Sequence, residues 1–273
     1  MALPQPSDDR TALVTGASSG LGVHFATQLA SAGQHVTLVA RREDRLNQVA
    51  EDIRAATGIT PLVVTADLSD LESRSRVAEQ VASSGRWVSI LVNNAGLSTS
   101  GPVAASDPEA EVTMIRTDVE AVAHLCSTFV PPMVENRTGA VLNVASTAAF
   151  QPLPGQAGYA ASKAFVLSYT HALRSELSGT GVAVTTLCPG PVETEFGEQA
   201  GFTEEETHLA ALRYLYVSPE SVTSQGLAGL AGGRAVVIPG VGNKVSAWSG
   251  WAIPRRVLLP LLRSQHPAMQ RGA

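Results

Sequence analysis

Short, almost unbroken apolar runs alternate along this chain with longer stretches in which apolar residues recur every three or four positions. The short runs are Ala12–Thr15, His35–Ala40, Leu62–Thr65, Ile90–Asn93, Ala140–Ala145, Val182–Leu187 and Ala235–Ile238. A strand with one wet face alternates apolar and polar residues, whereas a strand covered on both faces reads as continuously apolar. The runs therefore predict strands buried from both sides. Between them the helical period predicts Gly22–Ala32, Arg45–Ala56, Leu71–Ser83, a long Ala110–Met133, and Tyr159–Leu177. Strand and helix in strict alternation predict an α/β fold, a doubly wound parallel sheet of about seven strands with helices on both faces.

No repeat, low-complexity tract or linker interrupts this pattern. One domain is expected over 1–245, with a C-terminal extension over 246–273. The stretch 193–216 is long, acidic and weakly periodic. Following a strand's carboxyl end, such an insertion is expected to act as a lid over a ligand crevice.

Composition narrows the field. At 273 residues and 44% hydrophobic, the chain can bury a sizeable core. A net charge of -5 with a pI near 5.7 argues against nucleic acid as a partner. Cys126 and Cys188 have no redox or metal spacing and the histidines are scattered, so no metal is expected. Residues 1–9 lack the basic and apolar pattern of a signal peptide. The most lipophilic stretch, Trp248–Leu262, is broken by Pro254, Arg255, Arg256 and Pro260, so no transmembrane span is expected. The expected location is cytoplasmic.

Chemistry enters with Thr15-Gly16-Ala17-Ser18-Ser19-Gly20-Leu21-Gly22, between the first strand and the first helix. Gly16 permits a tight turn, while Gly20 and Gly22 let backbone approach a pyrophosphate and let helix pack on strand. The helix N-terminus adds free N–H groups and a positive dipole end. Such an octet elsewhere would be an ordinary loop. In this position it reads as a dinucleotide cradle that includes Ser18, Ser19 and Leu21.

The end of the second strand bears on which dinucleotide. An acid there would bind the ribose 2′-OH of NAD, but the chain has Ala40-Arg41-Arg42, roughly 20 residues beyond the turn. Forked cationic donors suit a 2′-phosphate. NADP(H) is therefore the expected cofactor, with NAD(H) the lesser alternative because Glu43 and Asp44 stand close by. The arginines also fit a plain solvated charge cluster.

Tyr159 and Lys163 lie four residues apart and share one helical face. A free tyrosine has a pKa near 10, and lowering it by about three units takes on the order of 4 kcal/mol of phenolate stabilisation. A lysine ammonium one turn away has the right sign. Ser146 closes the fifth strand, where its hydroxyl could bind a substrate oxygen beside the tyrosine. Ser146 stands in no Gly-x-Ser-x-Gly elbow and is not read as a nucleophile. Each of these features alone is ordinary, a packing pair or a strand-end cap.

Together, TGASSGLG at 15–22, Asp67 after the third strand, NNAG at 93–96, Ser146, YAASK at 159–163 and PGPVET at 189–194 resemble the classical short-chain dehydrogenase/reductase family. The resemblance spans about residues 10–240. It implies a single Rossmann-type domain in a homodimer or homotetramer, and hydride transfer between nicotinamide and a carbonyl or alcohol. By position it implies Tyr159 as general acid/base, Ser146 orienting and polarising the carbonyl, and Lys163 holding the nicotinamide ribose and lowering the tyrosine pKa. It further implies Asp67 and Leu68 at the adenine, and Asn94, Ala95 and Gly96 along the adenosine side. Pro189, Gly190, Val192 and Thr194 would seat the nicotinamide end.

One position departs from the family. Its fourth catalytic residue is an Asn after NNAG, and here the matching stretch reads Arg116-Thr117-Asp118-Val119. An ionised Asp118 accepts hydrogen bonds but cannot donate them, and its charge favours the ammonium form of Lys163. The expectation is an altered proton relay with a shifted pH optimum, the alternative being a substitution without kinetic effect.

The substrate is less legible. Phe196, Phe202, Leu209, Leu212, Tyr214, Leu215 and Tyr216 in the lid, with Glu204–Glu206 turned outward, would suit a lipophilic ketone or acyl derivative. The Trp248–Arg263 segment would cap the pocket, enter an oligomer interface or touch a membrane surface. Two further readings remain open: a catalytically weak NADP(H)-binding sensor or scaffold, and a membrane- or partner-binding module built on that tail.

Overall fold

The computed structural model describes residues 3–199, 215–265 and 269. Its centre is one parallel seven-stranded sheet in the order β3-β2-β1-β4-β5-β6-β7. The strands are β1 (Arg10–Thr15), β2 (Val36–Ala40), β3 (Leu62–Thr65), β4 (Trp87–Asn93), β5 (Gly139–Val144), β6 (Val182–Leu187) and β7 (Val236–Val237). These are the seven apolar runs of the sequence. β1 and β4 begin earlier than apolarity alone indicates, at Arg10 and Trp87.

The two faces follow from the period of two. In β1, Leu13 points into one core while Ala12 and Val14 point into the other. In β4, Leu91 and Val88 divide from Ile90 and Val92 in the same way. Helices α1 (Gly20–Ser31) and α2 (Glu43–Thr57) cover one face, with Phe25, Leu29, Leu46 and Ile53 buried against the sheet. On the other lie α3 (Leu71–Ser83), α5 (Ala121–Glu135) and α6 (Ala157–Glu176), which bury Val77, Leu125 and Val166.

The predicted long helix over Ala110–Met133 forms, with helical backbone throughout from Pro108 to Glu135 and one change of winding inside it. It forms as α4 (Pro108–Ile115), a wide π turn over Arg116–Glu120, and α5. Its start is set by Asp107, which caps the N–H of Glu109, with Pro108 at the first helical position. The Thr117 hydroxyl donates back to the Thr113 carbonyl at 2.9 Å, which favours a bend here. π turns of this kind recur at functional sites, and this one carries Asp118.

Beyond β6 come a short α7 (Phe196–Gln199), α8 (Pro219–Ala231), α9 (Val241–Ala252) and α10 (Arg255–Gln265). α8 buries Val222 and Leu230 on the face shared with α1. The last two helices, divided at Pro254, are the segment that read from sequence as a tail. Among the described residues no helix is long and apolar enough to cross a membrane. Of the expected lid, Phe202, Glu204–Glu206, Leu209, Leu212 and Tyr214 lie outside the described residues.

Candidate active site

Strand order reverses between β1 and β4, and a cleft opens there above the carboxyl ends of the strands. It encloses about 750 Å³ and runs from the glycine turn, Arg41, Arg42, Asp67 and Leu68 to Ser146, Tyr159 and Lys163. Ser18, Ser19, Gly20, Leu21, Asn94, Ala95, Gly96, Pro189, Gly190, Val192 and Thr194 line it as well. Gly22 and Asp118 do not line it; both act from behind the wall.

At the glycine turn, Gly16 and Gly20 are left-handed, with φ of +65° and +54°. A Cβ on Gly16 would stand 2.9 Å from the Ala95 Cα, and one on Gly22 only 2.0 Å from the Gly16 carbonyl oxygen. Gly22 therefore serves the packing of α1 on the turn. Ser19 enters α1 extended, makes no side-chain cap, and the first turn holds no acid. By contrast α2 opens on Glu43 and Asp44. The N-terminus of α1 thus presents N–H groups and a positive dipole end with no Ser19 cap and no acid in its first turn, the chemistry a pyrophosphate requires.

The turn is tied to the segment after β4. The Thr15 hydroxyl accepts from the N–H groups of Asn94 at 2.9 Å and Ala95 at 3.0 Å. The Asn94 amide donates to the Thr15 carbonyl at 2.9 Å. Asn94 is committed to holding the two loops together, so its contribution to the cleft is shape. Asp67 accepts from the N–H and hydroxyl of Ser69. Burial works against its carboxylate, but these bonds and nearby Arg41 hold the pKa below the usual range.

Arg42 reaches across the cleft. Both terminal nitrogens donate to Glu195 at 3.2 Å, and one lies 3.4 Å from the Ser18 hydroxyl. Glu195 is a cleft residue that the sequence reading did not single out, since it was one acid in a long acidic stretch.

At the other end, Ser146 leaves β5 extended and its hydroxyl accepts from the Ala148 N–H at 3.1 Å. The same hydroxyl stands near enough to Tyr159 to favour its phenolate. The helical spacing of Tyr159 and Lys163 puts the ammonium 5.6 Å from the tyrosine ring centroid. Lys163 also donates to the Val144 carbonyl at 3.4 Å and pairs with Asp118 at 2.9 Å. Asp118 is fully buried, and its other oxygen accepts from the Leu97 N–H at 2.7 Å.

Burial acts against every charge here. It pushes the Tyr159 pKa above its ordinary value despite Lys163 and Ser146, and Asp118 adds to the rise. It opposes the Lys163 ammonium too, but Asp118 and Tyr159 outweigh it and hold that pKa above the ordinary lysine value. Burial raises the Asp118 carboxyl, with Lys163 and the Leu97 N–H pulling it back. Both Asp118 oxygens face donors, an arrangement that suits a carboxylate. Cys188, beside them, is pushed up to about 12 by burial and stays a neutral thiol.

Around Tyr159 the wall is apolar. Met114, Ala148 and Tyr159 form a small buried cluster against which Leu97, Leu153 and Phe196 pack. The Phe196 ring lies 5.8 Å from that of Tyr159. Gln151 and Gln156 add polar groups, and the Gln156 amide donates to the Ser98 hydroxyl. Gln151, Leu153 and Gln156 were missed from sequence because they sit in the aperiodic stretch between Ser146 and α6. No cluster of His, Cys, Asp or Glu able to hold a metal occurs among the described residues.

Comparison with known proteins follows the same lines. The short chain dehydrogenase family matches residues 10–205. The chain is 38% identical over 187 residues to a sulfoacetaldehyde reductase of Chromohalobacter salexigens, covering 67% of this chain and 73% of that protein. A short-chain dehydrogenase from Sphingobium yanoikuyae, solved in complex with NADPH, superposes with a TM-score of 0.78 at 30% identity, over 92% of this chain and 95% of that one. L-sorbose reductase from Gluconobacter frateurii, complexed with NADPH and L-sorbose, gives a TM-score of 0.75 at 27% identity, over 86% of this chain and 97% of that one. With the seven-stranded sheet and the cleft at its switch point, these matches assign the chain to the short chain dehydrogenase family of oxidoreductases.

Proposed function

We propose that this protein is an NADP(H)-dependent reductase of a lipophilic ketone or acyl derivative. The observation that carries the proposal is the convergence of Ser146, Tyr159 and Lys163 at one end of a cleft whose other end is the N-terminus of α1, uncapped by Ser19. The pyrophosphate would lie on Ser18, Ser19, Gly20 and Leu21, the adenosine between Asp67, Leu68 and the Asn94–Gly96 segment, and the 2′-phosphate at Arg41 and Arg42. Pro189 to Thr194 would flank the nicotinamide. The NADPH found in the Sphingobium and Gluconobacter enzymes supports this cofactor.

When bound, the nicotinamide supplies the hydride. The side chains supply everything else. Ser146 donates to the carbonyl oxygen and fixes it beside Tyr159. Tyr159 gives that oxygen its proton in reduction and removes it in oxidation. Lys163 holds the ribose and sets the charge felt by Tyr159. Leu97, Leu153 and Phe196 exclude water from the reacting carbon and favour an apolar substituent, while Gln151 and Gln156 offer polar groups to orient it.

The C-terminal extension fits two places at once. Gly250 of α9 packs against Gln151, behind the pocket wall. Val241, Val245 and Trp248, on the opposite side of that helix, are exposed. We assign α9 to support of the pocket and its exposed stripe to contact with a second subunit, in a cytoplasmic homodimer or homotetramer.

The test is a panel of ketones, quinones and acyl thioesters assayed with NADPH and NADH in parallel. Turnover of apolar carbonyls with NADPH preferred is expected. No oxidation of either cofactor across the panel would reduce the protein to a nucleotide binder and overturn the reading.

A further inference from the structure

Lys163 and Asp118 are both buried, and the carboxylate meets the ammonium directly at 2.9 Å. Neither group can move far. Asp118 sits in the π turn with its second oxygen fixed by the Leu97 N–H at 2.7 Å. Gly96 closes over the pair so tightly that a Cβ there would lie 3.0 Å from Lys163 Nζ and 3.3 Å from Asp118 Oδ2. The groups that act electrostatically on Tyr159 come from four elements: Lys163 on α6, Asp118 on the π turn, Ser146 after β5 and Cys188 after β6. Cys188 and Ser146 are neutral, so the charge at Tyr159 is set by Lys163 and Asp118 together.

Counting charge gives the consequence. With a neutral residue at 118, a Tyr159 phenolate beside the Lys163 ammonium is a balanced buried pair. With Asp118 ionised, Lys163 is already balanced, and a phenolate would leave one uncompensated negative charge in a buried site, which is costly. We propose that Asp118 is a positioning residue, the resident counter-ion of Lys163, and that it keeps Tyr159 protonated to higher pH. The proton donor of carbonyl reduction then persists further into the alkaline range, and the phenolate base of alcohol oxidation forms only there. In reduction the Tyr159 O–H bond breaks and its proton passes to the substrate oxygen as the carbonyl π bond opens to the hydride that NADPH would supply, and solvent returns a proton to the phenolate. The inference rests on Tyr159 as acid/base, but its first test does not require turnover.

The chain has four tyrosines, so labelling their ζ carbons with ¹³C gives few signals, and that of Tyr159 is identified by its loss in Tyr159→Phe. The full-length protein without nucleotide is titrated against Asp118→Asn, which removes the charge and retains an acceptor for the Leu97 N–H. The Tyr159 phenolate should form at a pH lower by about one unit in Asp118→Asn. Asp118→Ala should shift it the same way. The alkaline limb of alcohol oxidation and the loss of ketone reduction should both move down in pH by a similar amount. A purely structural role would change the melting temperature and leave the titration where it was. Equal titration in native and variant proteins overturns the proposal, even if every carbonyl is reduced. A shifted titration with no turnover supports the counter-ion role and overturns the reductase reading instead.

Discussion

Arg42 directs both terminal nitrogens at one oxygen of Glu195, at 3.2 Å each, while the other oxygen lies 4.0 Å from Arg45. The pair bridges the cleft from the start of α2 to the segment after β6. The guanidinium suited to a 2′-phosphate therefore already has an anionic partner from the opposite wall. Phosphate and carboxylate compete for the same fork.

That competition predicts an affinity gain. The pair is partly exposed, so it is worth up to about 1 kcal/mol, or about fivefold in binding. Glu195→Gln should bind NADPH two- to fivefold more tightly, by roughly that bound, and leave NADH unchanged. Titration of nicotinamide fluorescence measures both. Unchanged NADPH affinity would show that Glu195 does not compete.

Tyr159→Phe keeps the ring that packs on Phe196 and removes only the hydroxyl. As the acid/base, Tyr159 should account for a loss of roughly 10²- to 10⁴-fold in kcat. NADPH binding should change little, because the proposed nucleotide site rests on the turn and the arginines. A variant that kept most of its kcat would remove Tyr159 from the chemistry.

Gly22→Ala has an unusual sign. Alanine in place of a helical glycine normally stabilises by about 1 kcal/mol. Here the new Cβ would fall 2.0 Å from the Gly16 oxygen and 2.7 Å from its carbon, both backbone. The turn or α1 must shift, so a loss of about 1–3 kcal/mol is expected. NADPH and NADH affinities should weaken together, since the pyrophosphate end is common to both. Urea unfolding and cofactor titration read the two effects; a stabilised variant would contradict the packing.

Much of this was visible in the chain itself. The seven strands were legible because a sheet covered on both faces needs apolar residues at every position, and the glycine turn because its glycines do different steric jobs. Asp118 was legible as a departure from a motif, but its direct contact with Lys163 was not. That contact depends on the π turn, whose single extra residue changes the winding locally and carries no motif of its own. Glu195 was hidden for another reason: an acid in an acidic stretch has no signature until the fold sets it opposite Arg42. α9 and α10 read as an extension because they lie beyond residues 10–240, where the family's motifs end.

The Lys163–Asp118 pair also bears on stability. Removing one member strands a buried charge, so Asp118→Ala should cost about 3–5 kcal/mol, whereas removing both, as in Asp118→Asn with Lys163→Met, should be close to neutral. The pH dependence has a definite sign. Folding raises the Lys163 pKa above its ordinary 10.5, so its contribution is fully present below that value and is lost as pH climbs through the folded pKa. Tyr159 is raised in the same sense from 10.0 and acts in the same direction. Native protein should therefore lose stability in urea steeply above about pH 10, and the double variant less steeply. Parallel pH curves for the two proteins would mean that the alkaline loss comes from elsewhere in the fold.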